Sequence, residues 1–329
     1  MENRSAVGQT HSQAIMRANR TRDTIIVGGG PAGLSAAMLL GRCLRDVVVI
    51  DAGRPRNGSS PALHAFLSRD GIPPSDLLQI GREQLAPYST VALNQGKVVT
   101  AAREYGNFRV TLEAGGTLVA KSLLLATGLV DKLPEIAGIR DYYGTHVHQC
   151  PYCDAWECRN QRIGVHGGDQ AALDLAVELQ QWTRDLVLLP DGADLTGKFL
   201  SPGLEVRHGR VASLTGSDRV LHGVRLDDGT EVPLNRLFIV PRQVQQCKLA
   251  AQLGCDESSA GPWMRCADDG STRVPGLFIA GNAGNRIQMA MLAAAEGLRA
   301  GIALNEWLDE TTRTAGAQSV PSHQPARTP

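Results

Sequence analysis

Two cysteines with two residues between them form the most reactive segment of the sequence, Cys150-Pro-Tyr-Cys153-Asp154. A Cys-x-x-Cys pair can close a short disulfide, and Pro151 suits the first turn of a helix that begins there. The N-terminus of such a helix favours the thiolate, which is the reactive form of cysteine. A carboxylate beside these thiols, Asp154, is a suitable acid/base partner. The segment therefore predicts a redox-active dithiol.

Other interpretations of this segment stay open. His146, His148 and Cys158 are close in sequence, and with the pair they form a set of soft ligands that can hold Zn²⁺. A zinc ribbon needs a second ligand pair at a similar spacing, and the sequence has none. The third interpretation is that the two thiols are inert. The histidines alternate as on a strand, so we expect them to be hydrogen-bonded partners more often than bases. The remaining cysteines are isolated in the sequence and are expected to pack in the core: Cys43, Cys247, Cys255 and Cys266.

A first glycine loop matches the pattern G-x-G-x-x-G between an apolar strand and an alanine-rich helix. Gly28 permits a tight turn, and Gly30 lets a pyrophosphate approach the backbone at the helix N-terminus. Gly33 completes the pattern, and Asp51 ends the next strand, where a carboxylate accepts from ribose hydroxyls. An ordinary glycine-rich turn is the alternative, but strand, helix and acidic residue together favour a dinucleotide site.

The predicted elements explain how these residues are positioned. Two β-α-β units are predicted, and their similarity indicates an α/β protein with two Rossmann-like modules. The elements of the first unit are Thr24–Val27, Pro31–Leu44 and Val47–Ile50, and those of the second are Arg162–His166, Gln170–Trp182 and Asp185–Leu189. A strand at Leu277–Ala280 and a helix at Gln288–Leu308 are expected to return to the first module. The second module is therefore predicted to be inserted in the first.

The composition excludes several classes of protein. The 329 residues suffice for one large domain or two ordinary ones, and 36 glycines suit helices that pack closely on a sheet. Basic and acidic residues balance at 33 each, so we expect no nucleic acid and no membrane as partner. The sequence has no apolar run of about eighteen residues, no signal-peptide pattern and no framework of secreted disulfides, which together predict a cytoplasmic protein.

Several segments, in family order, resemble the thioredoxin reductase family of FAD-dependent disulfide oxidoreductases. Three resemble its FAD-binding segments and one its redox motif: Val27-Gly-Gly-Gly-Pro-Ala-Gly33, Ala126-Thr-Gly128, Gly276-Leu-Phe-Ile-Ala-Gly-Asn282 and Cys150-Pro-Tyr-Cys-Asp154. Two further segments look closer to a branch of NADPH-independent members and of dithiol oxidases that act on natural products: Asp51-Ala-Gly-Arg-Pro-Arg-Asn57 and His64-Ala-Phe-Leu. The resemblance implies FAD, a homodimer and two three-layer ββα domains of the FAD/NAD(P)-linked reductase type.

Domain boundaries follow from the elements and the resemblance together. The FAD-binding domain is predicted to be discontinuous, at residues 21–129 and 244–310, around a redox-dithiol and NAD(P)-like domain at 130–243. Residues 1–20 and 311–329 are polar and aperiodic, so we expect two disordered arms.

The resemblance also implies roles for single residues. Cys153 is implied to face the flavin, Cys150 to exchange with the substrate, and Asp154 to donate and accept the proton. The predicted cofactor contacts are Gly28, Gly30, Pro31, Ala32, Gly33, Asp51, Arg56, Asn57, Val99, Ala126, Thr127, Gly128, Gly281, Asn282, Gln288, Met289 and Ala290. Reductases of the family usually carry Asp at the position of Asn282, so we expect the amide to weaken FAD binding without abolishing it.

A second glycine loop departs from the family's NADPH site. The loop is Gly167-Gly168-Asp169, so a carboxylate stands where the backbone should approach a pyrophosphate. No arginine occurs in the segment after the next strand, residues 190–194, although Arg184 or Lys198 can approach a phosphate from elsewhere. We therefore expect NADPH to bind poorly or not at all, unless the alignment is shifted by one residue or Asp169 points away.

These observations predict a FAD-dependent dithiol/disulfide oxidoreductase that exchanges electrons with oxygen, ferredoxin or another flavin. Its expected partner is a small dithiol or disulfide, or a thioredoxin-like protein. An NADPH-dependent thioredoxin reductase is the alternative within this class. The alternative from another class is a redox-sensing flavoprotein that binds a partner through its terminal arms and turns over slowly.

Overall fold

The structure is a computed structural model that describes residues 20–198, 200 and 202–318. The chain divides into two compact units, each built from segments that are distant in sequence. The first unit comprises the chain up to Arg54, Leu78–Leu129 and the chain from Gln245 onwards, and the second comprises Pro55–Leu77 and Val130–Val244. The predicted arm at 1–20, apart from Arg20, and the predicted tail from 319 lie outside the described residues. None of the described helices has the length and apolar character that a membrane span requires.

A seven-stranded sheet forms the centre of the first unit. Its strands, numbered in chain order, are β1 (Arg22–Val27), β2 (Val47–Asp51), β3 (Val91–Gln95), β4 (Val98–Glu104), β5 (Asn107–Leu112), β6 (Thr117–Leu125) and β17 (Leu277–Ile279). Strands β3, β2, β1, β6 and β17 are parallel, whereas β4, β5 and the first half of β6 pair antiparallel. The helices are α1 (Pro31–Arg42), α2 (Pro74–Glu83), which begins in the second unit, α6 (Leu249–Gln252) and α7 (Ala290–Gln318).

Both faces of β1, β2, β17 and the second half of β6 are buried, whereas the edge strand β3 is partly exposed. Successive side chains point to opposite sides of a sheet, so each face packs in a core of its own. Ile25 and Leu123 lie in the core on the side of the antiparallel strands. Ile26 and Leu124 lie in the core on the side of α1 and α7. The two cores explain why the strands are almost continuous runs of Val, Ile and Leu, and they give the three layers ββα.

Glycines let α7 lie directly on α1. A Cβ added to Gly297 would lie 1.9 Å from the carbonyl oxygen of Ala32, and one added to Gly301 would lie 2.9 Å from Cδ2 of Leu39. Side chains larger than glycine at these two positions would therefore push the helices apart.

Helix α7 extends to Gln318, so the prediction of a disordered tail from residue 311 is wrong over residues 311–318. The hydroxyls of Thr311 and Thr312 donate to the carbonyls of Trp307 and Leu308, one turn earlier. These bonds give the threonine hydroxyls partners within the helix, so a polar composition alone does not mark the end of a helix.

A parallel sheet in the order β11-β10-β9-β15-β8 forms the centre of the second unit. The strands are β7 (Leu129–Lys132), β8 (Val147–His148), β9 (Ile163–His166), β10 (Leu186–Leu189), β11 (Glu205–Val206), β12 (Val211–Ser217), β13 (Val220–Leu226), β14 (Glu231–Pro233), β15 (Arg236–Ile239) and β16 (Arg242–Gln245). The helices are α3 (Ile139–Tyr142), α4 (Pro151–Asp154) and α5 (Gln170–Leu179). One face of the parallel sheet packs on α5 and the other on the antiparallel sheet β12-β13-β14. Each unit is thus a ββα layer structure, and the predicted fold class is confirmed.

The segment Pro55–Leu77 lies outside the predicted boundaries, since it belongs to the second unit. A Cβ added to Gly144 would lie 2.6 Å from Oγ of Ser59, and Arg56 pairs with Asp131. These partners lie 75 or more residues later in the chain, so no local pattern marks the change of unit.

Candidate functional site

The first glycine loop joins β1 to α1, and each of the three glycines of its motif has a different structural role. Gly28 has a φ of 109°, and a Cβ there would lie 2.3 Å from the carbonyl oxygen of Ala126. A Cβ on Gly33 would lie 1.9 Å from the carbonyl oxygen of Gly28, so helix and turn are in close contact. A Cβ on Gly30 would meet nothing within 4 Å. The space beside Gly30 therefore leaves the backbone accessible to a ligand.

The N-terminus of α1 suits an anion. Helix α1 begins at Pro31 and, among the described residues, has neither a capping side chain nor an acidic residue in its first turn. Its first N–H groups and its dipole are therefore available to a phosphate. The carboxylate of Asp51 lies over the same loop, because a Cβ on Gly29 would lie 2.8 Å from its Cγ. These residues fit the pyrophosphate and ribose of FAD.

Two other predicted FAD segments lie at the same edge of the sheet. The N–H of Ala126 donates to the carbonyl of Val27 at 2.9 Å, so the segment 126–128 starts beside the glycine loop. The N–H of Ala280 donates to the carbonyl of Leu125 at 3.1 Å, and a Cβ on Gly281 would lie 3.1 Å from that of Ala32. The structure thus brings residues 126–128 and 281–282 together with the first turn of α1.

The remaining predicted contacts of the first unit lie on its edges. Gln288 and Met289 directly precede α7 and Ala290 is its first residue; the N–H of Ala293 donates to the carbonyl of Met289 at 2.9 Å. A Cβ on Gly281 would lie 3.7 Å from that of Ala293, so this turn lies near the 281–282 segment. Val99 lies on β4 and is 37% exposed.

One residue of this region was not predicted. Glu296 is half-buried on α7, where it accepts a hydrogen bond from the side-chain amide of Asn285. Burial raises the pKa of the Glu296 carboxyl above its usual value. The available signal was a single acidic residue in an otherwise apolar stretch, residues 290–298.

Arg56 and Asn57 belong to the second unit, unlike the other predicted FAD contacts. The guanidinium of Arg56 donates to both carboxylate oxygens of Asp131, at 2.7 and 2.5 Å. The buried Asp131 also accepts from the hydroxyl of Tyr143 and from the side-chain amide of Gln149, both at 3.0 Å. Burial and the Asp131 carboxylate raise the pKa of Tyr143. The Arg56 guanidinium is thus held within a buried network that ends at the residue before Cys150.

Cys150 and Cys153 are joined by a disulfide, with their Cα atoms 5.3 Å apart. Cys150 is the extended N-cap residue of α4, Pro151 opens the helix as predicted, and the N–H of Asp154 donates to the carbonyl of Cys150 at 3.2 Å. Helix α4 has only four residues, so its dipole stabilises a thiolate less than the sequence analysis assumed. The aromatic side chain between the cysteines, Tyr152, is 65% exposed.

A buried histidine faces the third predicted catalytic residue. His148 is 7% exposed on β8, and its ring packs on Phe238 with centroids 5.4 Å apart. Its Nδ1 lies 3.3 Å from Oδ1 of Asp154, yet within the described chain neither ring nitrogen has a hydrogen-bond partner. Buried polar atoms without partners are uncommon and usually have a functional or strain-related reason. The sequence predicts His148 to be a hydrogen-bonded partner, and the missing partners therefore differ from that prediction.

The possible zinc ligands do not assemble in this state. The disulfide occupies two of the five sulfur and nitrogen ligands, and among the described residues no group of three or more His, Cys, Asp or Glu could hold a metal ion. Burial raises the pKa of the Cys158 thiol to about 11. Burial lowers the pKa of His146, and Arg236 lowers it further.

In the second glycine loop, the side chain of Asp169 occupies the N-terminus of the helix that follows. Asp169 is the N-cap residue of α5, and its carboxylate accepts from the N–H of Ala172 at 3.0 Å. The ammonium group of Lys198 donates to the carbonyl of Gly168. A carboxylate therefore lies at the helix N-terminus where a phosphate would bind, in contrast to the uncapped N-terminus of α1.

The segment that follows β10, beside this loop, has more charged side chains around it than its own sequence indicates. His166 lies 3.4 Å from Asp191, and burial lowers the pKa of this histidine. Arg210 follows Gly192 by 18 residues but lies beside it in the structure. A Cβ added to Gly192 would lie 3.4 Å from Nε of Arg210. The segment after β10 contains no arginine of its own, and Arg210 reaches the loop only through the fold.

Two ββα units, a dinucleotide-type loop and a Cys-x-x-Cys disulfide define a flavin-linked disulfide oxidoreductase. Residues 22–297 match the family described as pyridine nucleotide-disulphide oxidoreductase. The chain belongs to this family, and within it the chain is thioredoxin reductase-like.

Three relatives illustrate the similarity. The crystal structure of HlmI is 35% identical with a TM-score of 0.87, over 91% of this chain and 96% of that one. The putative thioredoxin reductase TrxB from Bacillus anthracis is 28% identical with a TM-score of 0.82, over 89% of this chain and 99% of that one. The probable thioredoxin reductase of Arthroderma benhamiae is 28% identical over 299 residues, which cover 80% of this chain and 74% of that protein.

Family membership makes this chain a flavin-dependent enzyme, and the predicted family and enzyme class are confirmed. It also implies FAD, for which the α1 N-terminus, the space at Gly30 and the position of Asp51 provide a suitable site.

Proposed function

We propose that this enzyme is a dithiol/disulfide oxidoreductase whose redox-active pair is Cys150–Cys153 and which does not use NADPH. The proposal rests on the contrast between the N-terminus of α1 and that of α5. Helix α1 leaves its first N–H groups available to a phosphate, whereas the Asp169 carboxylate accepts from the corresponding region of α5. A carboxylate in that position competes with a phosphate and repels it. Electrons are then exchanged with oxygen, ferredoxin or another flavin.

The disulfide sets the chemistry of the first half-reaction. A thiolate of the substrate attacks Sγ of Cys150, the Cys150–Cys153 bond breaks, and Cys153 leaves as the thiolate. The second substrate thiol attacks the mixed disulfide, which releases the oxidised substrate and leaves both cysteines reduced. Two electrons and two protons have then moved to the enzyme. FAD, when bound, supplies the two-electron acceptor for this dithiol.

Asp154 is placed to move the proton of the attacking thiol. Its N–H donates to the carbonyl of Cys150, so the carboxylate is held one turn from the disulfide. The buried ring of His148 lies beside this carboxylate, with Nδ1 3.3 Å from Asp154 Oδ1. We assign His148 as the residue that positions Asp154.

An anaerobic absorbance titration tests the proposal. Under argon, dithiothreitol should bleach the flavin and NADPH should leave it oxidised; admitting air then shows whether oxygen restores it. Prompt bleaching by NADPH would overturn the NADPH-independent proposal. Failure of both reagents, with vigorous binding of a protein partner, would favour a redox sensor.

An NADPH-dependent thioredoxin reductase is the second candidate. Relatives such as the Arthroderma benhamiae protein are named thioredoxin reductases, and Arg210 beside Gly192 could bind a nucleotide phosphate. Its expected partner is a thioredoxin-like protein. The homodimer and the cytoplasmic location stay predictions; analytical ultracentrifugation and cell fractionation test them.

A further inference from the structure

Two cysteines that looked isolated in the sequence lie opposite each other in the first unit. An antiparallel bridge joins Glu257 to Met264. One residue further along the same register, the N–H of Arg265 donates to the carbonyl of Asp256 at 2.8 Å. The next opposed positions are 255 and 266, and both are cysteine.

The register decides how close the two cysteines are. In an antiparallel pair, hydrogen-bonded and non-hydrogen-bonded positions alternate, and 256 with 265 is a hydrogen-bonded position. Continuation of this register makes 255 and 266 the next non-hydrogen-bonded position, at which regular antiparallel strands hold the Cα atoms about 4.5 Å apart with the side chains on the same side. Disulfides require Cα separations of about 4.4–6.8 Å.

Both side chains also face the same space. Cys255 and Cys266 line one cavity of about 350 Å³, and both pack in the core on the antiparallel side of the sheet. Both are free thiols, with Cys255 buried and Cys266 half-buried. A small reagent can therefore approach the pair from the cavity.

The surroundings of the two thiols are unequal. Arg273 donates to the carbonyl of Gly254 at 3.1 and 2.9 Å and lies 2.8 Å from the Asp256 carboxylate, so its guanidinium is fixed beside Cys255. Burial raises the pKa of both thiols, that of Cys266 to about 11, while Arg273 and Thr272 counteract the effect at Cys255. The guanidinium of Arg273 beside Cys255 therefore favours the thiolate of Cys255 over that of Cys266.

We propose that Cys255 and Cys266 form a second dithiol/disulfide couple, oxidised by low-molecular-weight disulfides. The Cys255 thiolate attacks a disulfide R–S–S–R, its S–S bond breaks, and one R–S⁻ leaves. Cys266 loses its proton to solvent and attacks Sγ of Cys255, which releases the second R–S⁻. The two cysteines lose two electrons and two protons, and the disulfide becomes two thiols. This couple does not depend on the function proposed for Cys150 and Cys153.

A Cys255–Cys266 disulfide would link two chain segments, one of which contacts the turn that contains the predicted FAD segment at 281–282. The N–H of Met264 donates to the carbonyl of Ala283 at 2.7 Å, and Sγ of Cys266 lies 3.9 Å from the carbonyl oxygen of Gly284. The short 3-10 turn Gly281–Ala283 therefore contacts the segment Met264–Cys266, which the disulfide would tie to Cys255. We expect oxidation to raise the midpoint temperature of thermal unfolding of the holoenzyme.

Peptide mass spectrometry of the holoenzyme tests the proposal directly. The protein is equilibrated with glutathione disulfide, quenched with acid, alkylated and digested with trypsin. Trypsin cuts after Arg265 and separates the two cysteines into the peptides Leu249–Arg265 and Cys266–Arg273. The expected product is these two peptides joined, two hydrogens lighter than their sum. The Cys150–Cys153 disulfide in the same sample shows that the buffer is oxidising.

Variants separate the proposal from accidental oxidation. Cys266→Ser should trap Cys255 as its glutathione adduct, whereas Cys255→Ser should leave Cys266 alkylated. Cys247→Ser, in a cysteine that packs against the same core, should leave the joined peptides unchanged. Complete alkylation of Cys255 and Cys266 while Cys150–Cys153 is oxidised would overturn the proposal, as would a bond from Cys255 to Cys247.

Discussion

Replacing Asp169 measures how strongly one carboxylate disfavours NADPH. The Asp169 carboxylate lies 3.0 Å from the N–H of Ala172, where a bound phosphate would accept. Two unit charges 4 Å apart repel by about 1 kcal/mol in water and about 4 kcal/mol at a protein surface. Asp169 is exposed, so screening favours the lower part of this range, roughly 1–2 kcal/mol. We therefore expect Asp169→Gly to bind NADPH roughly 5- to 30-fold more tightly than the wild type.

Isothermal titration with NADPH and anaerobic bleaching of the flavin measure this effect. Asp169→Asn is the matched control, because Asn caps a helix as well as Asp does but carries no charge. Both variants should gain affinity, and Asp169→Asn should unfold at the same urea concentration as the wild type. If neither variant binds NADPH more tightly, the carboxylate is not the obstacle.

Five further substitutions test other parts of the structure. Cys153→Ser should abolish reduction of the flavin by dithiothreitol, seen as constant absorbance under argon; turnover at the wild-type rate would show that the pair is not the redox centre. Asp154→Asn should slow thiol exchange by roughly 100-fold or more, and His148→Phe should slow it less while changing its pH profile; a profile identical to the wild type would leave His148 a packing role only. Asp131→Asn removes the ion-pair partner of a buried guanidinium, so we expect a loss of about 3–5 kcal/mol in the free energy of unfolding, measured with urea. Because burial lowers the pKa of His166, the unfolded chain binds the proton more readily, and stability should fall as the pH drops below about 6.5. His166→Gln should reduce this pH dependence in urea unfolding, and an equally steep dependence would contradict the assignment.

The glycine loop was predictable because its determinants are contiguous in sequence. A buried strand, three glycines and an alanine-rich helix follow one another, and the structure gives Gly28, Gly30 and Gly33 separate roles in the same turn. The Cys150–Cys153 disulfide was predictable for the same reason, since its sequence separation is three. Local spacing therefore indicated both the loop and the disulfide.

Partners that meet only through the fold were not predictable. Arg56 and Asp131 are 75 residues apart, and the sequence favoured a cofactor as the partner of Arg56. Arg210 reaches Gly192 because neighbouring strands bring two loops together. The cysteines at 255 and 266 seemed isolated, since their register depends on one β-bridge rather than on a repeated pattern.

The discontinuous first unit has a consequence for synthesis on the ribosome. Strand β17 pairs with β6, and α7 packs on α1, but both elements follow residue 244 in the chain. A nascent chain halted after the second unit thus exposes the apolar face of α1 and the unpaired edge of β6 until its last quarter has emerged. Chaperones that bind exposed apolar surface should therefore hold such halted chains, and flavin should enter the protein only after translation has passed α7.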